Sequence, residues 1–277
     1  MHDFTRRLAS ALVLAPTAIV IAYFGGWLFL GAFALAAGII LWEWTVLVFG
    51  EAELRVLVPG IGALLAATAF AGEGQAGAAI GMVAVGAMLA GGTVAAWPGR
   101  YPAANSAGWG AAGAVYAGVA LLGPALLRGD AELGFAAILF LFAIVWATDI
   151  FAYLVGRAAG GPLLAPSLSP KKTWAGAFGG LAGGVAAGAA VAYASVGTAP
   201  MVAGLVALVL SIVAQGGDLF ESAVKRRFGV KDASHLIPGH GGAMDRLDGF
   251  LVAALVAVLI GSVHQGMAAP ARGLLVW

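Results

Sequence analysis

The fold class predicted for this chain is an all-α integral membrane protein of about nine transmembrane helices with a cytoplasmic N-terminus. Three observations predict it. Hydrophobic residues make up 62% of the 277 residues and charged residues only 10%, too few charges to cover the surface of a soluble fold of this size. The apolar residues fall into runs of the length that crosses a bilayer core, about 20 residues per helix. The basic residues gather on one side of those runs.

The predicted spans are 8–24, 26–44, 54–72, 76–97, 106–127, 133–156, 174–196, 200–220 and 247–265. Met1 to Arg7 followed by Leu8 to Phe24 has the outline of a secretory signal. Its apolar run is long, however, and no polar segment follows Ala15 and Ala18, which predicts an uncleaved first span. Gly25 and Gly26 separate the first two spans. With the N-terminus inside, twelve of the 14 basic residues lie on the cytoplasmic side, and Arg128 and Arg272 lie outside.

The 43 glycines, dense between Gly176 and Gly188, are read as packing residues that let membrane helices approach closely. The chain has no cysteine, hence no disulfide, thiol nucleophile or cysteine metal site. A formal net charge of +1 does not point to nucleic acid, and no nucleic-acid partner is expected. Residues 1–277 are expected to form a single polytopic unit. Within it, 1–130 are helices of mainly structural role and 133–266 carry the catalytic helices and loops.

Ionisable groups at the edge of a span are costly and therefore functional candidates. Asp218, Glu221, Ser222 and Lys225 stand at i, i+3, i+4 and i+7 and line one face of the eighth span. The alternative is an ion-paired, snorkelling helix end. Lys225, Arg226, Arg227 and Lys231 then put four cations within seven residues, suited to phosphates, to anionic lipid or to a topology signal.

Pro238, His240, Gly241 and Gly242 follow, and glycines there can turn backbone N–H groups towards a phosphate. Asp245 and Asp248, three apart, can offer oxygen ligands to a hard cation, while Asp248 is equally a candidate helix cap. Upstream, Asp149 and Tyr153 precede Arg157, and Lys171 and Lys172 lie in the next loop. Asp149 is a metal or nucleotide contact or a partner of Arg157, and the two lysines are triphosphate contacts or a stop-transfer signal. Carboxylates from two helices, a cationic cluster and a glycine turn are the equipment of phosphoryl or nucleotidyl transfer.

The stretch from Ser222 to Asp248 resembles the C-terminal signature of the CDP-diacylglycerol synthase family, also called phosphatidate cytidylyltransferase. Thr148-Asp149 through Gly156-Arg157, Ser169 to Trp174 and, more weakly, Trp42-Glu43-Trp44 are similar to further family motifs. The resemblance implies transfer of a cytidylyl group from CTP to phosphatidate, releasing pyrophosphate, in phospholipid synthesis. It implies that Asp218 and Asp245 hold the catalytic metal, with Mg²⁺ required and a second, monovalent cation nearby, and that the protein is a homodimer.

On that reading Lys225, Arg226 and Lys231 meet phosphates, as do Lys171 and Lys172, while Asp149 contacts the nucleotide and Ser222 a substrate oxygen. Asp248 and Arg246 support the metal site. His240 either assists the departing pyrophosphate or organises its loop, and His264 is structural. Ala175 stands where the family usually has an acidic residue, which predicts altered activity or metal affinity. The rival readings are a catalytically impaired relative and a membrane transporter, although a transporter would carry its charges near the midplane. A CDP-alcohol phosphotransferase is disfavoured because Asp245-Arg246-Leu247-Asp248-Gly249 does not fit that motif. The expected location is the inner (plasma) membrane, with the site at its cytoplasmic face.

Overall fold

The computed structural model describes residues 2–97, 105–234, 236 and 241–277, with the side chains of residues 2–12 outside that description. Its helices are α1 (His2–Phe24), α2 (Gly26–Phe49), α3 (Leu54–Gly72), α4 (Ala76–Ala96), α5 (Ser106–Arg128), α6 (Gly134–Ala159), α7 (Trp174–Val196), α8 (Pro200–Arg227), α9 (Met244–Gln265) and α10 (Pro270–Leu275). Among the described residues, eight helices, α2 to α9, are long and apolar enough to cross a membrane, and α1 adds the shorter apolar stretch Val13–Phe24. The chain is thus a multi-pass helical membrane protein, with helices where the hydropathy places spans.

Two differences bear on the site. Helix α8 continues to Arg227, beyond the expected end of its apolar run at 220, because polar residues such as Glu221 and Lys225 end a hydropathy run without ending a helix. Between α6 and α7 lies a small antiparallel hairpin of β1 (Leu163–Ala165) and β2 (Ser169–Thr173), paired at Leu163 with Thr173 and at Ala165 with Ser169. Strands of three and five residues are too short to leave a hydropathy signal.

The helices form two compact units. The first comprises Met1–Ala125 with Phe228–Leu247, and the second Leu126–Arg227 with Asp248–Trp277.

In the first unit α2 packs on α1 and α3, and α3 on α4. Buried Trp44 of α2 ties in α5, where its indole N–H donates to the Trp109 carbonyl at 2.9 Å and its ring lies 5.4 Å from that of Tyr116. Gly113 makes this approach possible, since a Cβ there would come within 2.4 Å of the Trp44 ring. Glu53 caps α3 and accepts from the Arg55 side chain at 2.8 and 2.6 Å. The Arg55 guanidinium holds the Glu53 carboxyl below the usual carboxylate range.

In the second unit α7 packs between α6 and α8. The hydroxyls of Thr148 on α6 and Ser211 on α8, both buried, meet at 2.7 Å. They satisfy each other inside an apolar bundle, where a lone hydroxyl would be expensive. Helices α8 and α9 touch backbone to backbone: a Cβ on Gly217 would lie 2.8 Å from the Asp248 carbonyl, and one on Gly249 2.8 Å from that of Ala214. At the far end, His264 stacks on Trp277 at 4.1 Å and its Nδ1 lies 2.9 Å from the Gly273 carbonyl.

The α8–α9 contact sets how closely Asp218 and Asp248 approach. Gly217→Val should force these helices apart and cost about 1–3 kcal/mol, as overpacking does. A clear fall in melting temperature in detergent is expected, and an unchanged midpoint would contradict this account of the contact.

Candidate active site

In the second unit, the end of α6, the β1–β2 hairpin, the start of α7 and the C-terminal half of α8 enclose a cavity of about 490 Å³. Each element brings its groups for a local reason. Tyr153 and Arg157 are one helical turn apart on α6, and the Arg157 guanidinium donates to the Tyr153 hydroxyl at 2.9 Å. Thr173 ends β2 and caps α7, accepting from the Gly176 N–H at 3.1 Å. This cap joins the hairpin rigidly to a membrane helix and so fixes Lys171 and Lys172 at the cavity wall. At the hairpin tip the Leu168 carbonyl accepts from Arg226 Nε at 3.4 Å.

The cavity is lined by three cationic side chains, Arg157, Lys171 and Lys172, and by two carboxylates, Asp149 and Asp218. The Lys172 ammonium is paired directly with Asp218. Such a wall attracts a polyanion while offering oxygen ligands at one end, a combination that a plain anion site lacks.

Asp218 also belongs to a second group. It, Glu221 and Asp248 each present an oxygen within 4.8 Å of the others. Glu221 is buried and paired with Lys225 at 2.7 Å, the i, i+4 geometry of a helix ion pair. Asp248 Oδ1 also accepts from the Gly249 N–H at 2.6 Å. Three carboxylates converging from two helices suit a hard, oxygen-seeking cation, and the residues present fit such an ion.

The structure therefore gathers Asp149, Lys171, Lys172 and Asp218 around one cavity, and Asp218, Asp248 and Lys225 around one carboxylate cluster. Ser222 is half-buried on the same helix. Glu221 was legible as a member of the α8 stripe but not as part of a carboxylate triad, because its neighbour Asp248 comes from another helix. Gln215, one turn before Asp218 on α8, also faces the cavity. Its spacing of three residues was the available signal.

Asp245, Lys231 and Arg246 belong to the first unit. Lys231 and Arg246 are exposed. Asp245 Oδ2 accepts from the backbone N–H groups of Ala233 at 3.0 Å and Gly242 at 2.8 Å. Asp218 and Asp245, the expected metal pair, belong to different units; within the second unit Asp218, Glu221 and Asp248 converge. His240 and Pro238 lie outside the described residues.

Comparison with known proteins follows the same lines. A model described as "Cytidylyltransferase family" matches residues 5–264. A phosphatidate cytidylyltransferase of Brucella abortus biovar 1 (strain 9-941) is 42% identical over 280 residues, covering 95% of this chain and 95% of the relative. One from Brucella melitensis biotype 1 is 41% identical with the same coverage. A shorter match, 37% over 130 residues, links 44% of the chain to 57% of a phosphatidate cytidylyltransferase of Rickettsia felis.

If the triad binds a cation, Asp218→Asn or Asp248→Asn should weaken Mn²⁺ binding by roughly tenfold or more, since each removes an anionic ligand from a three-carboxylate set. Titration of the purified protein followed by electron paramagnetic resonance measures this. Wild-type affinity in both variants would dismiss the triad as a metal site.

Proposed function

This chain belongs to the cytidylyltransferase family, and from that premise we propose that it transfers the cytidylyl group of CTP to phosphatidate, giving CDP-diacylglycerol and pyrophosphate. Full-length similarity to phosphatidate cytidylyltransferases supports the activity. The single structural observation that supports it best is the cavity in which Arg157, Lys171 and Lys172 stand beside Asp149 and Asp218.

The chemistry required is modest. A phosphate oxygen of phosphatidate attacks the α-phosphorus of CTP, a new P–O–P bond forms, and the bond from the α-phosphorus to the bridging oxygen breaks. Pyrophosphate takes that oxygen and its electron pair. A phosphate monoester is already an anion near neutral pH, so the nucleophile needs no general base. The protein's task is to align two polyanions and offset their charge.

Lys171, Lys172 and Arg157 are assigned to the triphosphate. Lys172 is the pivot, because its ammonium rests on Asp218 and turns to a phosphate when nucleotide enters. The Tyr153 hydroxyl steadies Arg157. Asp149 is placed at the nucleoside end, and Ser222 at a substrate oxygen. Mg²⁺ is the cation assigned to Asp218, Glu221 and Asp248, where it would neutralise charge on the reacting oxygens. Lys225 stays with Glu221 and holds that carboxylate in place.

We assign the site to the cytoplasmic face of the inner membrane, where CTP is available. The one-sided distribution of basic residues supports that orientation. A monovalent cation beside Mg²⁺ and a homodimeric assembly are carried from the family resemblance as parts of the same reading.

Purified protein given labelled CTP, phosphatidate and Mg²⁺ should form CDP-lipid and pyrophosphate in equal amounts. Binding of CTP without product would overturn the activity. Lys172→Ala should lower kcat/KM for CTP by about 10²-fold, the scale of a lost charged contact to a phosphate. Asp218→Ala should abolish turnover, and near-normal rates in it would remove Asp218 from the reaction.

A further inference from the structure

Among the described residues, Glu43 is the most deeply buried carboxylate. It sits in α2, in the middle of the Trp42-Glu43-Trp44 run, with no exposed surface. A carboxylate placed there is costly unless donors meet it. Three do, and all come from one distant segment. The Ser234 hydroxyl donates to Oε1 at 2.6 Å, the Ala243 N–H to Oε1 at 2.9 Å, and the Met244 N–H to Oε2 at 2.7 Å.

Ser234 stands about ten residues before α9, while Ala243 and Met244 are at the beginning of that helix. Asp245 ties the same two points a second time, because its Oδ2 takes the N–H groups of Ala233 and Gly242. Two carboxylates thus clasp the stretch 233–234 to the stretch 242–244. The fit around Glu43 leaves no slack, since a Cβ added to Gly242 would fall 2.3 Å from its Oε1. Trp44, the next residue, is turned about 100° round the helix. It bonds to Trp109 on α5, so α2 is itself anchored where it holds the segment.

We propose that Glu43 is a positioning residue: it ties Ser234 to Ala243 and Met244 and so fixes where the chain enters α9. That this junction serves nucleotidyl transfer rests on the function proposed above. The clasp itself does not.

The test uses Glu43→Gln in the full-length protein in detergent. Glutamine keeps one acceptor oxygen but turns an NH₂ group towards a backbone N–H. Hydrogen exchange at the amides of Ala233 and of Gly242 to Met244 should accelerate by about tenfold or more, while amides of α6 and α7 keep their protection. With phosphatidate, CTP and Mg²⁺, kcat should fall by about 10²-fold with KM for CTP changed by less than about threefold, as for misalignment without lost substrate contact. Gly242→Ala strikes the same contact, so the double variant Glu43→Gln with Gly242→Ala should lose no more than the worse single variant.

Unchanged exchange at 242–244, or multiplicative losses in the double variant, would overturn the clasp. Should Glu43→Gln fail to fold, Ser234→Ala removes one donor from outside the helix, and unchanged exchange at 233–244 in that variant overturns it equally. If the wild type lacks cytidylyltransferase activity, the exchange measurements still decide the clasp, and the proposed function alone fails.

Discussion

A carboxylate taken out of water must find donors, and in a chain with so few charges each one constrains a large part of the fold. Glu43 meets the requirement with two backbone N–H groups and a hydroxyl drawn from about 190 to 200 residues away. Glu221 meets it within its own helix, through Lys225. Asp218, only half-buried, is paired with Lys172 on the hairpin. In each case the partner lies in one of the motif stretches read from the sequence.

Small residues let the helices pass closely. Where α8 passes α9 there is no side chain on Gly217 or Gly249 to keep the backbones apart, and Asp218 and Asp248, each next to one of these glycines in sequence, are thereby brought close. The Thr148 and Ser211 hydroxyls close the same bundle with a polar contact buried beside Gly184. Apolar association between helices is weak in lipid, so close backbone approach and a few hydrogen bonds carry much of the packing. The convergence of these carboxylates therefore leans on residues that have no chemistry of their own.

Helix continuity explains two features of the candidate site. Because α8 runs unbroken to Arg227, Asp218, Glu221 and Lys225 keep the helical spacing that stacks them. The β1–β2 hairpin offers the opposite kind of support: short and capped directly into α7 by Thr173, it carries the lysines of β2 on a rigid support at the end of a membrane helix. Ala175 lies in the first turn after that cap, where the family's usual acid would stand. The acids lining this cavity are Asp149 and Asp218, from α6 and α8.

By itself the sequence determined the helical membrane fold, the places of its helices and the stripe on α8, because hydropathy runs and the 3.6-residue period are local properties of a chain in lipid. The family signature likewise marked Lys225, Asp245 and Asp248, which lie within the stretch from Ser222 to Asp248, while Asp218 precedes it on the α8 stripe. Only the tertiary structure decided which carboxylates converge. Asp248 approaches Asp218 and Glu221 across a glycine contact between helices, and Asp245 turns its Oδ2 to the backbone of its own loop. The role of Glu43 was equally hidden, because its partners lie at the other end of the chain and a lone acid in an apolar helix does not say who will meet it. Such pairings depend on helix crossings and buried donors, which no local pattern encodes.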